Sequence, residues 1–210
     1  MRRRPLLGLL GAVVFVPPPF VTTARAQGAG PVPVITGFYQ SLEKVMRAGA
    51  TSPFKARYDM LAPAVDQAFD LATIMAVSVG ARWASLDAGV RAGLSDMFRV
   101  YSIASYVANF DHFDGERFEV SGETRTIGTD QVLQTRIVPK TGTGGIRLDY
   151  LMRQGEQGWR AVDVLADGTI SRVAVQRSDF RAILGRDTNT AALLDSLRRK
   201  VADLSGGAIS

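Results

Sequence analysis

The chain has 210 residues, 46% of them apolar, enough for one domain with a full core. It contains no cysteine, which excludes disulfides, thiol nucleophiles and zinc-thiolate sites. Four of its 25 Lys and Arg lie in residues 1–26, which hold no acid; the remainder carries 21 basic against 20 acidic residues, so no basic stripe is left for nucleic acid.

The N-terminus reads Met1-Arg2-Arg3-Arg4, then an apolar run from Leu6 to Val16, then Ala24-Arg25-Ala26. A basic segment, a short apolar segment and an A-x-A site predict a signal peptide over 1–26. The run falls short of the ~20 residues that span a bilayer. Residues 27–35 are rich in Gly and Pro and predict a flexible segment. The folded domain is expected over 36–205.

From Gly37 the pattern is helical, with Phe38, Leu42, Val45 and Met46 on one face. Ser52-Pro53 predicts a second helix start. Pro63 predicts a break, and Val65, Phe69, Ala72 and Met75 a further short helix ended by Gly80. A long helix is expected from about Leu86 to Ala108, with Ser85 as its cap. Leu86, Val90, Leu94, Met97, Phe98, Tyr101, Ala104 and Ala108 recur along it every three or four residues.

After Gly115 the period becomes two. Phe118 and Val120, then Leu133, Thr135 and Ile137, then Ile146, Leu148, Tyr150 and Met152 alternate with polar residues. Thr141–Gly145 and Gly155–Gly158 predict hairpin turns. Trp159 opens a last strand, ended by Asp167-Gly168. Phe180, Ile183 and Leu184 then fall at helical spacing before Gly185, and a final helix carries Leu193, Leu194, Leu197, Val201 and Leu204. The fold class is α+β: a single domain in which an antiparallel, curled sheet of about four strands packs against N- and C-terminal helices.

Little in the sequence reads as catalysis. His112, the one histidine, lies in Asp111-His112-Phe113-Asp114 and reads as a loop residue. Ser171 and Ser178 lack a nucleophile elbow. Gly142-Thr-Gly-Gly145 joins strands rather than opening a helix, so it reads as a turn and not a phosphate loop. No metal-ligand cluster and no cofactor motif appears. Phe38, Phe54, Tyr58, Phe69, Met75, Trp83, Met97, Phe98, Tyr101, Tyr106 and Phe110 all lie in the helical half. A packed core and a lined cavity use the same faces, and periodicity does not separate them.

The stretch Trp159-x-x-x-Asp163-Val … Asp167-Gly168-x-x-Ser171 … Arg177-Ser178-x-Phe180 … Ile183-Leu184 resembles the periplasmic lipid carriers of the toluene-tolerance, or MlaC-like, family. Leu61 … Val65-Asp66 … Phe69-Asp70, Val79-Gly80-x-x-Trp83, Met97-Phe98 … Tyr101 … Tyr106 and Asp149-Tyr150 extend the likeness over most of the chain. The wording Asp-Gly-Thr-Ile-Ser is most similar to the branch linked to hopanoid biosynthesis, the HpnM-like proteins. The resemblance implies an NTF2-like or MlaC-like cone with a deep apolar pocket between sheet and helices. It implies a monomer in the periplasm of a Gram-negative bacterium, in transient membrane contact. Such a carrier passes hopanoid or phospholipid between an inner-membrane transporter complex and an outer-membrane partner, without catalysis. Gln176 stands where phospholipid-carrying members usually have Tyr, which favours the hopanoid branch.

The expected pocket wall is Tyr58, Phe69, Met97, Phe98, Tyr101 and Tyr150, with Arg177 either at its mouth or paired to Asp163. Asp163 and Arg177 are charges in apolar stretches flanking a turn, and such charges are costly unless paired. Two other readings stay open. An isomerase-like enzyme on a similar cone would need a buried acid, for which Asp163, or Asp149 with Tyr150, are the candidates. A ligand-free periplasmic adaptor would have no cavity.

Overall fold

The computed structural model describes residues 30–141 and 144–209; the expected signal segment and residues 142 and 143 of one hairpin lie outside them. Helix α1 spans Pro31–Ala48. Residues 31–35, expected to belong to the flexible segment, are therefore helical. Pro31 and Pro33 sit in the first helical turn, where backbone N–H groups have no intrahelical acceptor and proline costs nothing. The helix buries Ile35, Phe38, Leu42 and Val45 as one stripe.

Helix α2 spans Phe54–Ala68 and runs through Pro63, where a break was expected. A helix-interior proline costs ~3 kcal/mol. Burial of Leu61, Ala62, Val65 and Ala68 on the same helix offsets it. The break comes at Phe69, which forms a parallel bridge to Ala161. The Asp70 N–H then donates to the Ala161 carbonyl at 2.9 Å. The Asp70 carboxylate caps α3, Leu71–Val79, by accepting from the Thr73 N–H at 2.9 Å. Gly80 closes α3 with φ 82°, as expected. Helix α4 spans Ala88–Asn109, with Asp87 rather than Ser85 at its N-cap position. The Ser85 hydroxyl instead donates to the Arg82 carbonyl.

Strands β1 Arg117–Ile127, β2 Asp130–Val138, β3 Ile146–Gly155 and β4 Gly158–Ala166 form an antiparallel meander, extended by the two-residue β5, Ile170–Ser171. The β1–β2 register slips between Val120 and Thr124. The β3–β4 register passes from Leu151 opposite Asp163 to Met152 opposite Ala161, leaving Val162 as a bulge. Bulges raise local twist and bend the strand, so the sheet curls. Helix α5, Arg172–Leu184, and α6, Thr190–Ser205, complete the chain. Helix α1 lies against the sheet, α6 packs on α4, and α5 sits between α3 and β4.

The β4–β5 turn carries Asp167 at φ 52° and Gly168 at φ 73°, the positive pair of a type I′ hairpin. The Arg147 guanidinium lies flat on Gly168: a Cβ there would be 2.7 Å from Arg147 Cζ. The same guanidinium is bidentate to the fully buried Asp149 carboxylate, at 2.9 and 2.7 Å. Gly168→Ala is expected to cost ~1–3 kcal/mol from backbone conformation alone. Urea melts of the variant check this, with an unchanged midpoint as the contrary result.

Candidate ligand-binding site

The sheet and helices do not close completely on each other. A cavity of about 490 Å³ lies between the inner face of β2–β4 and helices α1, α3, α4 and α5. Its deep wall is apolar: Leu42, Phe69, Ile74, Phe98 and Tyr150. Lining residues that are also exposed mark its mouth, between Ile146 on β3, Asn109 on α4 and Arg172, Val175 and Asp179 on α5. Ile146 is 58% and Val175 40% exposed, so the rim itself is partly apolar.

Four of the expected wall residues, Phe69, Phe98, Tyr101 and Tyr150, line this cavity. Tyr58, Met97 and Arg177 do not. Tyr58 is buried beside the Arg99–Asp66 ion pair, which closes at 2.6 Å. Met97 packs half-buried against the core away from the cavity. Arg177 lies on the backbone of Gly80, its Nη2 3.2 Å from where a Cβ would stand. Helical geometry explains the last case. Arg172, Val175, Gln176 and Asp179 share one face of α5, and Arg177 projects to the other side.

The expected Asp163–Arg177 pair does not form. The Asp163 carboxylate accepts from the Val164 N–H at 2.7 Å, the Val173 N–H at 3.1 Å and the Ser171 hydroxyl at 2.5 Å. Ser171 Oγ in turn accepts from the Ala174 N–H as the N-cap of α5. The charge is thus met by the first turn of the next helix, where unpaired N–H groups favour an anion. The chain does double back here, as the turn implied, but to a different partner.

Polar groups also line the cavity or stand behind its wall. Thr135 donates its hydroxyl hydrogen to the Leu148 carbonyl at 2.8 Å. Tyr39, 2.7 Å from Thr135 Oγ1, must therefore be the donor in that contact. Burial raises the Tyr39, Tyr150 and Tyr106 hydroxyls above the ordinary phenol range, so all three remain neutral donors at physiological pH. Ser102, Ser105 and Asn109 on α4 each donate back to a carbonyl of their own helix. Their spacing with Phe98 and Tyr101 is helical, a signal that was present in the sequence.

Neither candidate acid for an enzyme stands free in the cavity. Asp149 pairs with Arg147 and is absent from the lining. Asp163 lines it, with its carboxylate already engaged by three donors. His112 is exposed, flanked by Asp111 and Asp114, and away from the lining. Its hydrogen bond to Asp111 holds it above the ordinary imidazole range. Among the described residues no cluster of three or more His, Asp or Glu could hold a metal, and no helix is long and apolar enough to cross a membrane.

A curled antiparallel sheet roofed by helices around an apolar, half-open cavity defines an α+β protein of the ligand-enclosing cone class. The chain belongs to the MlaC protein family, whose model matches residues 38–199. Its fold is that of a phospholipid-binding protein from Ralstonia solanacearum, solved in complex with a phospholipid, with a TM-score of 0.71. The two are 13% identical over 84% of this chain and 99% of that one. No curated protein matches the sequence.

Proposed function

We propose that this protein is a non-catalytic lipid carrier of the periplasm, shuttling hopanoid or phospholipid between inner and outer membranes. The observation that carries the reading is the half-open apolar cavity. Membership of the MlaC family supports it, as does the likeness to a protein solved with phospholipid.

The physics of extraction fits such a site. Each methylene leaving a bilayer costs about 0.8 kcal/mol, so a sixteen-carbon tail costs more than ~10 kcal/mol unless a comparably apolar cavity receives it. At the ~30 Å³ share of one small group, taken from liquid water, the 490 Å³ cavity holds on the order of sixteen such groups. That is one sixteen-carbon tail, so a two-tailed lipid or a fused ring system would also extend through the open mouth. The signal-like N-terminus supports export, and an inner-membrane transporter complex and an outer-membrane partner complete the route. The partly apolar rim of Ile146 and Val175 suits transient contact with either.

Native mass spectrometry of protein purified from its own periplasm tests the carrier reading. A co-purifying lipid is expected, and an empty protein that also refuses added lipid would exclude it. Amino-terminal sequencing of the same sample is expected to begin at Gln27.

A further inference from the structure

The carrier reading leaves the ligand's polar end open between an acid-headed and a neutral lipid. The donors around the cavity bear on that choice. Along α4, Ser102 and Ser105 have given their hydroxyl hydrogens to their own helix and offer only acceptor atoms, while Asn109 at the exposed mouth has given one of its two amide hydrogens to the Ser105 carbonyl. Tyr106 differs. Its hydroxyl has no hydrogen-bond partner among the described residues, and the half-buried residue lines the cavity. Tyr39, by contrast, donates to Thr135. The Tyr106 hydroxyl is therefore a donor open to whatever occupies the cavity.

Arg172 stands at the mouth near it. It lines the cavity, is exposed, and makes no ion pair among the described residues. Its charge is felt at the Tyr106 hydroxyl, which it pulls back toward the ordinary range against the effect of burial. Gln176, one turn along α5, lines the same side, and its amide nitrogen is enclosed without an acceptor. Two neutral donors and one cation are therefore gathered where the apolar wall meets the mouth. Two carboxylates share this side, so Arg172 acts by direct pairing with a ligand oxygen rather than through the net charge of the lining. Asp163 is engaged by three donors. Asp179 lies seven residues from Arg172, ~10 Å farther along the helix axis.

We propose that Tyr106, Gln176 and Arg172 form the head-group site of the cavity, selecting an acid-headed amphiphile whose oxygens accept from Tyr106 and Gln176 and pair with Arg172. The tail fills the wall of Phe69, Phe98 and Tyr150. This inference rests on the carrier reading, and one displacement experiment separates the two. The delipidated protein is loaded with phenylnaphthylamine, an uncharged apolar fluorophore, which is then displaced by dodecanoate, dodecanol or dodecyltrimethylammonium below their micellar concentrations. The three share a tail and differ in the polar end. Dodecanoate is expected to bind about tenfold tighter than dodecanol, the effect of one charge-assisted hydrogen bond, and tighter still than the cation. Arg172→Gln, at an exposed position that the fold does not depend on, should bring the dodecanoate-to-dodecanol ratio close to one. Tyr106→Phe should weaken both oxygen-bearing ligands. Wild-type protein that binds all three alike, or an Arg172→Gln variant that keeps the preference, would overturn the head-group site while leaving the carrier intact. Protein that takes up no fluorophore would overturn the carrier reading and this inference with it.

Discussion

Ser105→Trp is expected to weaken uptake of a long-chain lipid about a hundredfold while leaving the fold in place. Ser105 lines the cavity from α4, and its only hydrogen bond is to the Tyr101 carbonyl of its own helix. The small side chain therefore contributes space more than cohesion. An indole projecting from that position displaces the volume of about four methylenes, each worth ~0.8 kcal/mol of transfer. The loss is ~3 kcal/mol, or about a hundredfold in Kd. Fluorophore titration of the delipidated variant measures it, and circular dichroism reports the fold. Met97→Trp provides the comparison, because Met97 is on the same helix but outside the lining. It should bind lipid as the unaltered protein does. Equal uptake by Ser105→Trp would mean that lipid is held elsewhere.

Asp163→Ala is expected to destabilise the protein by ~2–4 kcal/mol, because one half-buried carboxylate organises the junction between β4 and α5. It accepts two backbone N–H groups and the Ser171 hydroxyl, and hydrogen bonds to a charged group are worth ~1.5–3 kcal/mol each before solvent competes for the freed donors. Urea melts give the magnitude, and double-mutant cycles give the partner. Asp163→Ala with Ser171→Ala should show a coupling of ~1 kcal/mol or more, since the two side chains touch. Asp163→Ala with Arg177→Gln should be additive, since Arg177 lies on Gly80 instead. A large Asp163–Arg177 coupling would contradict the arrangement.

Local chemistry made most of the scaffold readable in the sequence. The period of 3.6 placed α4 and α6, the period of two placed β1 to β3, and the apolar run after Trp159 placed β4. Asp167-Gly168 declared its turn because few residues other than Gly accept positive φ without strain. At Pro63 burial outvoted the local rule and α2 runs on, whereas Pro31 and Pro33 start α1 because the first turn has no use for their missing N–H groups. The break at Phe69-Asp70 was signalled only by Asp70 and Thr73 at capping distance, and what fixes it is a strand ninety residues away.

The wall was legible in part. Phe69, Phe98, Tyr101 and Tyr150 read as large residues on inward faces, and they face the cavity. Tyr58 and Met97 read the same way and pack in the core, because a periodic pattern gives the buried face of a helix but not the distance to the layer opposite. That distance is set by the curl of the sheet, through bulges between Val120 and Thr124 and at Val162 that no single strand announces. The partner of Asp163 was likewise decided in three dimensions. The sequence by itself determined that the chain turns back at Asp167-Gly168. The rotation of α5, about 100° per residue, then sent Arg177 to Gly80 and turned Arg172 and Gln176 toward the cavity mouth.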